Sequence, residues 1–273
     1  LDKKVSLKET NQYFLEKSHY IIFEKNDLKI IFDKKKGLTL DSIFIGNKKF
    51  PICTLKHEEL DLIKHGADFF TGTTIIESAE TKKISDLIEV EKINFYEIDD
   101  NNFKIEVSIE MKQGIKELKS WTIDTKKYTI KFDLFLDCPI FIRGIIRVGV
   151  ITLDKTFALK NGIIKVKNGN KYYEKIELKN SEINQHTSKS LTQSSVSGLG
   201  CTNGITKFKN DDFSFKIELD REKSYPFVML QNNKDKFGYL TRLYFSLQEL
   251  DDTLKESQKN SKYNLNYVVY LKG

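Results

Sequence analysis

Apolar and polar residues alternate with a period of two along most of this chain. Phe103, Ile105, Val107, Ile109 and Met111 are interleaved with Lys104, Glu106, Ser108 and Glu110. Tyr128, Ile130, Phe132, Leu134 and Leu136 repeat the pattern around Thr129, Lys131 and Asp133, as do Phe213, Phe215, Ile217 and Leu219 around Ser214, Lys216 and Glu218. Successive side chains of a strand leave opposite faces, so each run reads as a strand with one face buried and one in water. Such half-buried strands favour antiparallel sheets. Similar signals predict strands near 20–25, 28–33, 38–45, 73–78, 86–97, 115–123, 140–152, 162–167, 171–178, 226–231, 237–246 and 263–271.

The punctuation agrees. Asn26-Asp27, Lys36-Gly37, Asn168-Gly169 and Asn210 to Asp212 fall between these runs, and such residues favour turns and hairpins. Helical signals are sparse. Ser6 with Glu9, and Ser246 with Glu249, have capping-box spacing, and Leu247, Leu250 and Leu254 follow the second pair at helical intervals. At most one or two short helices are therefore expected. The polar stretch from Asn180 to Gly204 reads as a long loop of the kind that binds ligands or forms an insertion. These signals predict an all-β fold, a large antiparallel β-sandwich, with residues 1–273 forming one domain. A chain beginning with Leu rather than Met is expected to be processed, or a portion of a longer protein.

Composition adds limits. The chain has 273 residues, with 39% hydrophobic content, 19 Phe and 12 Tyr, which is enough apolar surface for a core. Its 45 basic and 39 acidic residues leave a formal charge of +6. The lysines are spread through the sequence among acids, which argues for a solvated surface and against nucleic-acid binding. Cys53, Cys138 and Cys201 lie far apart and are odd in number, so free thiols and a reducing, cytoplasmic setting are expected. No apolar run reaches ~18 residues, so no membrane span is expected. No metal-ligand spacing, phosphate-binding loop or nucleophile elbow occurs, and neither a metal nor a cofactor is expected.

The densest polar cluster runs from Lys64 to Gly72. His65 and Asp68 are three residues apart there, with Gly66 between them and Phe69, Phe70 and Gly72 following. An imidazole exchanges protons near neutral pH, and a carboxylate can orient it or hold a hydroxyl. A sugar ring, with an apolar C–H face and a polar rim, suits aromatic faces beside hydrogen-bonding groups. The plainer alternative is a turn capped by His65 and Asp68 with both phenylalanines in the core. Asp251 and Asp252 form an acidic pair, but adjacent carboxylates rarely address one atom. Arginine is scarce, which draws attention to Arg143, Arg147 and Arg242. Arg242 is expected on the strand face opposite Leu243 and Phe245, where it could clamp a carboxylate or hydroxyls. Trp121, the single tryptophan, is either a core residue or a stacking platform.

The phrases His19-Tyr20-Ile21-Ile22-Phe23, Leu28 to Asp33 and Gly37-Leu38-Thr39-Leu40 resemble the first strands of galactose-mutarotase-like β-sandwiches. His65-Gly66-Ala67-Asp68-Phe69, Ser197-Gly198-Leu199-Gly200, Arg242 to Ser246 and Glu249 to Thr253 resemble the C-terminal β-domain of family 57 glycoside hydrolase-like proteins. The resemblance implies a mutarotase-like supersandwich and carbohydrate as partner. It also implies a (β/α)-barrel catalytic domain elsewhere, since family 57 catalysis resides in such a barrel and none fits here. In the mutarotase-like enzymes a histidine acid and a glutamate base act on the sugar; no such pair is matched motif by motif. The expected role is a carbohydrate-binding or accessory module, with His65, Asp68, Trp121 and Arg242 facing the ligand. A mutarotase-like epimerase or lyase using His65, with Asp68 as the other catalytic candidate, is the alternative. A purely structural domain is a further one.

Overall fold

The computed structural model describes residues 8–9, 12–59, 69–78, 83–169, 172–183, 201–249 and 260–272. His65, Asp68, His186, Asp251, Asp252 and the 197–200 phrase lie outside them. Among the described residues twenty strands form two antiparallel sheets. The first six are β1 (Lys8–Glu9), β2 (Phe14–Lys17), β3 (Tyr20–Lys25), β4 (Leu28–Asp33), β5 (Thr39–Ile45) and β6 (Lys48–Cys53). Then come β7 (Ile75–Ser78), β8 (Ile84–Ser85), β9 (Asn94–Asp99), β10 (Asn102–Glu110), β11 (Lys116–Asp124), β12 (Thr129–Cys138) and β13 (Gly144–Leu153). The last are β14 (Ile163–Asn168), β15 (Tyr172–Glu177), β16 (Ile205–Lys209), β17 (Ser214–Leu219), β18 (Phe227–Asp235), β19 (Gly238–Gln248) and β20 (Ser261–Tyr270).

Sheet one runs β1-β9-β10-β11-β12-β20-β17-β16-β14-β15. Sheet two runs β18-β19-β13-β6-β5-β4-β3-β2, with β7 pairing to β13 and β8 to β7. The alternating residues point between the sheets and make one continuous core. An aromatic chain crosses it: Phe32, Trp121, Phe132, Tyr267 and Phe245 follow with ring centroids 5.8, 4.5, 4.9 and 4.9 Å apart. Cys53, Cys138 and Cys201 are free and buried, and burial pushes the Cys138 thiol up to about 12.

Several expectations need correction. Trp121 is not ligand-facing: it is 1% exposed, its ring packed between Phe32 and Phe132 and its indole N–H donating to Leu38 O at 3.1 Å. Its position on β11 has the same parity as Ile123, so it points into the core. The segment 86–93 is irregular rather than strand, because Asp86 turns fully inward to meet Lys119. The Ser246 and Glu249 spacing marks a strand end, not a helix start. β19 continues to Gln248, and the Ser246 hydroxyl donates to Glu249 Oε1 at 2.6 Å. Glu9 likewise stands in a strand.

Candidate functional site

The outer face of sheet two carries a cleft of about 470 Å³ lined by Phe69, Phe70, Arg147, Val150, Arg242 and Tyr244, with Lys36, Glu77 and Lys83 at its margin. Strand parity places most of this set. On β19, Leu243 and Phe245 face the core, so Arg242 and Tyr244 face outward. Gln231 stands opposite Arg242 on β18, and Met229 stands opposite Tyr244.

A bulge in β13 supplies the rest. Val148 pairs with Phe245 and Ile151 with Leu243, so Gly149 and Val150 together oppose Tyr244. The extra residue keeps Arg147 outward and also turns Val150 outward, where it packs on Met229 and Tyr244. Gly149 adopts φ +58°, and a Cβ there would lie 2.6 Å from Leu265 and 2.8 Å from Phe132. Only glycine fits that position without strain.

Phe69 and Phe70 arrive on a segment stitched to the sheet by backbone bonds. Phe69 exchanges two with Leu55, at 2.9 and 3.0 Å, and Gly72 N–H donates to Val150 O at 2.7 Å. Gly72, at φ +88°, passes so close to Trp121 that a Cβ would lie 2.5 Å from the indole. Trp121 therefore supports this wall of the cleft from beneath, inside the core.

The two arginines differ in their partners. Arg147 is paired, donating from Nε and Nη2 to the two carboxylate oxygens of Glu249 at 2.8 and 2.9 Å. Arg242 donates from Nε and Nη2 to a neutral acceptor, Gln231 Oε1, at 3.1 and 2.8 Å. Tyr244 donates its hydroxyl to the same oxygen at 2.6 Å. The Arg242 guanidinium lies 4.3 Å from the Phe69 ring centroid and 4.8 Å from that of Tyr244. Among the described residues it has no carboxylate partner, and Nη1 makes no hydrogen bond. Burial, and to a smaller extent Arg147, pull the guanidinium below its ordinary range, while burial pushes the Tyr244 phenol up. Arginine nevertheless stays charged in proteins. The cleft thus offers one flat cation whose Nη1 edge has no partner among the described residues, set between aromatic faces.

Of the residues the sequence singled out, Arg242 and the Phe69-Phe70 pair meet in this cleft, Trp121 lies beneath it, and His65 and Asp68 lie outside the described residues. Sequence reasoning missed Gln231 and the role of Tyr244. The parity of β19 makes Tyr244 visible once Arg242 is noticed, whereas Gln231 emerges only from the pairing of β18 with β19.

No family model matches the sequence, and no curated protein matches it significantly. Solved structures do match in shape. A protein assigned as an aldose 1-epimerase from Klebsiella pneumoniae superimposes with TM-score 0.57 at 10% identity, covering 97% of this chain and 83% of that one. Galactose 1-epimerase from Lactobacillus acidophilus matches with TM-score 0.55 at 8% identity, over 97% and 98% of the two chains. The fold is galactose mutarotase-like. Heparan sulfate lyase HepC from Pedobacter heparinus matches with TM-score 0.56 at 10% identity, over 97% of this chain. The chain spans only 37% of the lyase, where the sandwich is one part of a longer polypeptide. At such identities the likeness establishes the fold alone.

Proposed function

We propose that this mutarotase-like sandwich is a carbohydrate-binding module of a polysaccharide-processing enzyme, with the cleft on sheet two as its sugar site. The observation that carries this reading is Arg242, whose charge has no counter-ion among the described residues and whose guanidinium lies against Phe69 and Tyr244. A sugar presents an apolar C–H face to the aromatic rings and hydroxyl or carboxylate oxygens to the free N–H groups. The similarity to one part of a longer lyase, and the resemblance to the β-domain of family 57 proteins, support a (β/α)-barrel or other catalytic domain as partner.

A second reading is a free-standing mutarotase-like enzyme. It is favoured by the near-complete mutual coverage with galactose 1-epimerase, and it would use His65 as acid/base.

Calorimetric titration against neutral and acidic glycans tests both readings. We expect binding that Arg242→Ala weakens by at least about tenfold, the loss of a charge-assisted contact. Under the second reading His65→Ala abolishes anomer exchange measured by NMR; under the first it only weakens binding. Silence from a well-folded protein across the glycan series refutes both.

A further inference from the structure

The outer face of sheet one carries two different charge patterns. Across β10, β11, β12 and β20, the directly opposed residues Glu110, Lys116, Asp137 and Lys262 alternate in sign. That is the ordinary solution, since opposite charges across strands attract and like charges repel. Across β15, β14, β16 and β17 the directly opposed residues are Lys175, Lys165, Lys207 and Lys216, four lysines in an unbroken row. Lys167 and Lys209 flank the row on the same face. The acids of this face are Glu177 and Glu218, so six lysines against two glutamates leave a local charge of +4. Both glutamates are engaged, with Lys175 at 2.7 Å and Lys216 at 2.8 Å. Lys165, Lys167, Lys207 and Lys209 have no acidic partner among the described residues. One half of the sheet therefore avoids a repulsion that the other half retains.

We infer that this lysine face binds a linear acidic polysaccharide, whose carboxylate or sulfate groups lie along the row. Neighbouring strands are about 4.8 Å apart, so the four ammonium groups extend over about 14 Å, the length of a short run of sugar units. Ammonium groups are compact charges that suit carboxylate or sulfate in any orientation, and the row contains no arginine for bidentate phosphate capture. Lysine ammonium groups stand over two rings on this face, Lys207 at 4.6 Å from Tyr173, which stays partly exposed, and Lys216 at 4.1 Å from Tyr270. The row lies on the opposite side of the sandwich from the cleft and does not depend on the cleft reading.

The test is a salt-dependent titration with labelled heparin, comparing the wild-type chain with Lys165→Glu/Lys207→Glu. A control pair, Lys48→Glu/Lys49→Glu, makes the same change in net charge on exposed residues of β6. We expect wild-type binding that weakens with added salt, a loss of at least about tenfold in the row variant and little change in the control. Any affinity for neutral dextran should be the same in the wild type and the row variant. Lys207→Glu should leave the melting temperature unchanged or raise it, because it relieves repulsion from Lys165 and Lys216. Absence of heparin binding at low salt, or equal losses in row and control variants, overturns the proposal. So does heparin binding that is lost with Arg242→Ala yet kept in the row variant, which would move the polyanion to the cleft. Tighter binding of single-stranded or duplex DNA than of heparin would make the face a nucleic-acid surface instead.

Discussion

Glu117 and Lys119 occupy inward positions on β11, and together with Asp86 they place three ionisable groups wholly inside the sandwich. Lys119 Nζ donates to Asp86 and to Gly37 O, the latter at 2.9 Å, and lies 3.2 Å from Glu117 Oε1. Asp86 Oδ1 also accepts from the Thr73 hydroxyl at 2.7 Å and the Thr74 N–H at 2.9 Å. Glu117 is less well served: neither carboxylate oxygen has a hydrogen bond in good geometry. One cation cannot compensate two carboxylates. Burial, opposed by Lys119 and reinforced by Asp86, pushes Glu117 up to about 7, against 4.5 ordinarily.

The linkage sign follows. A carboxyl that binds its proton more tightly in the folded state stabilises the fold fully below about pH 4.5, and that stabilisation is lost as pH rises through about 7. At about 1.4 kcal/mol per unit the whole window is worth about 3 kcal/mol, most of it between pH 5 and pH 8. Glu117→Gln removes the titration and keeps the shape. Urea unfolding of both proteins at pH 5 and pH 8 should therefore show the variant gaining about 2–3 kcal/mol on the wild type between the two conditions. Taking the difference between proteins cancels the titrating groups that lie away from Glu117, Lys119 and Asp86. A difference that does not move with pH would mean that Glu117 is ionised in the native state throughout, and would refute the assignment of the proton.

Two further outcomes are expected from the same fold. Lys119→Met leaves Asp86 and Glu117 buried without a cation and should destabilise by about 3–5 kcal/mol in urea titration, as breaking a buried ion pair does. Gly149→Ala forces a Cβ into Leu265 and Phe132 at a positive φ and should destabilise by about 2–4 kcal/mol, read as a lower urea midpoint at unchanged slope.

The fold was largely legible because most strands alternate visibly between a buried and a wet face, and the strands that escaped notice lack a clear alternation, each for its own reason. β6 reads Lys-Lys-Phe-Pro-Ile-Cys, with four consecutive buried residues, because the Phe69 segment covers its outer side around Cys53. Continuous burial erases a period of two. On β16 the inward positions are Thr206 and Phe208, and a buried threonine reads as polar in the sequence. β2 lies at a sheet edge and buries only Phe14. The segment 86–93 looked like a strand because Ile88 and Val90 alternate with polar residues. The inward turn of Asp86 depends on Lys119, 33 positions later.

The binding surfaces were less legible, and the reason is register. Period and parity are local, so Arg242 could be assigned its face from its neighbours alone. Which residues stand beside it is decided by strand pairing, which brings Gln231 from 11 positions away and Phe69 from another part of sheet two. The lysines show the same effect in stronger form. Along the sequence, Lys165, Lys175, Lys207 and Lys216 are separated by other residues and by the polar stretch after Asn180, and their charge averages out among nearby acids. Antiparallel pairing of β15, β14, β16 and β17 puts all four in one row. A shift of one residue in any one of these pairings would turn that strand's lysine toward the core, where an unpaired ammonium is strongly unfavourable. Ile164, Val166, Phe208, Phe215 and Ile217 hold the register by filling the core on the opposite face. The buried hydrophobic pattern therefore fixes the basic row as firmly as it fixes the core, and a net charge of +6 conceals a directional field on one face of the sandwich.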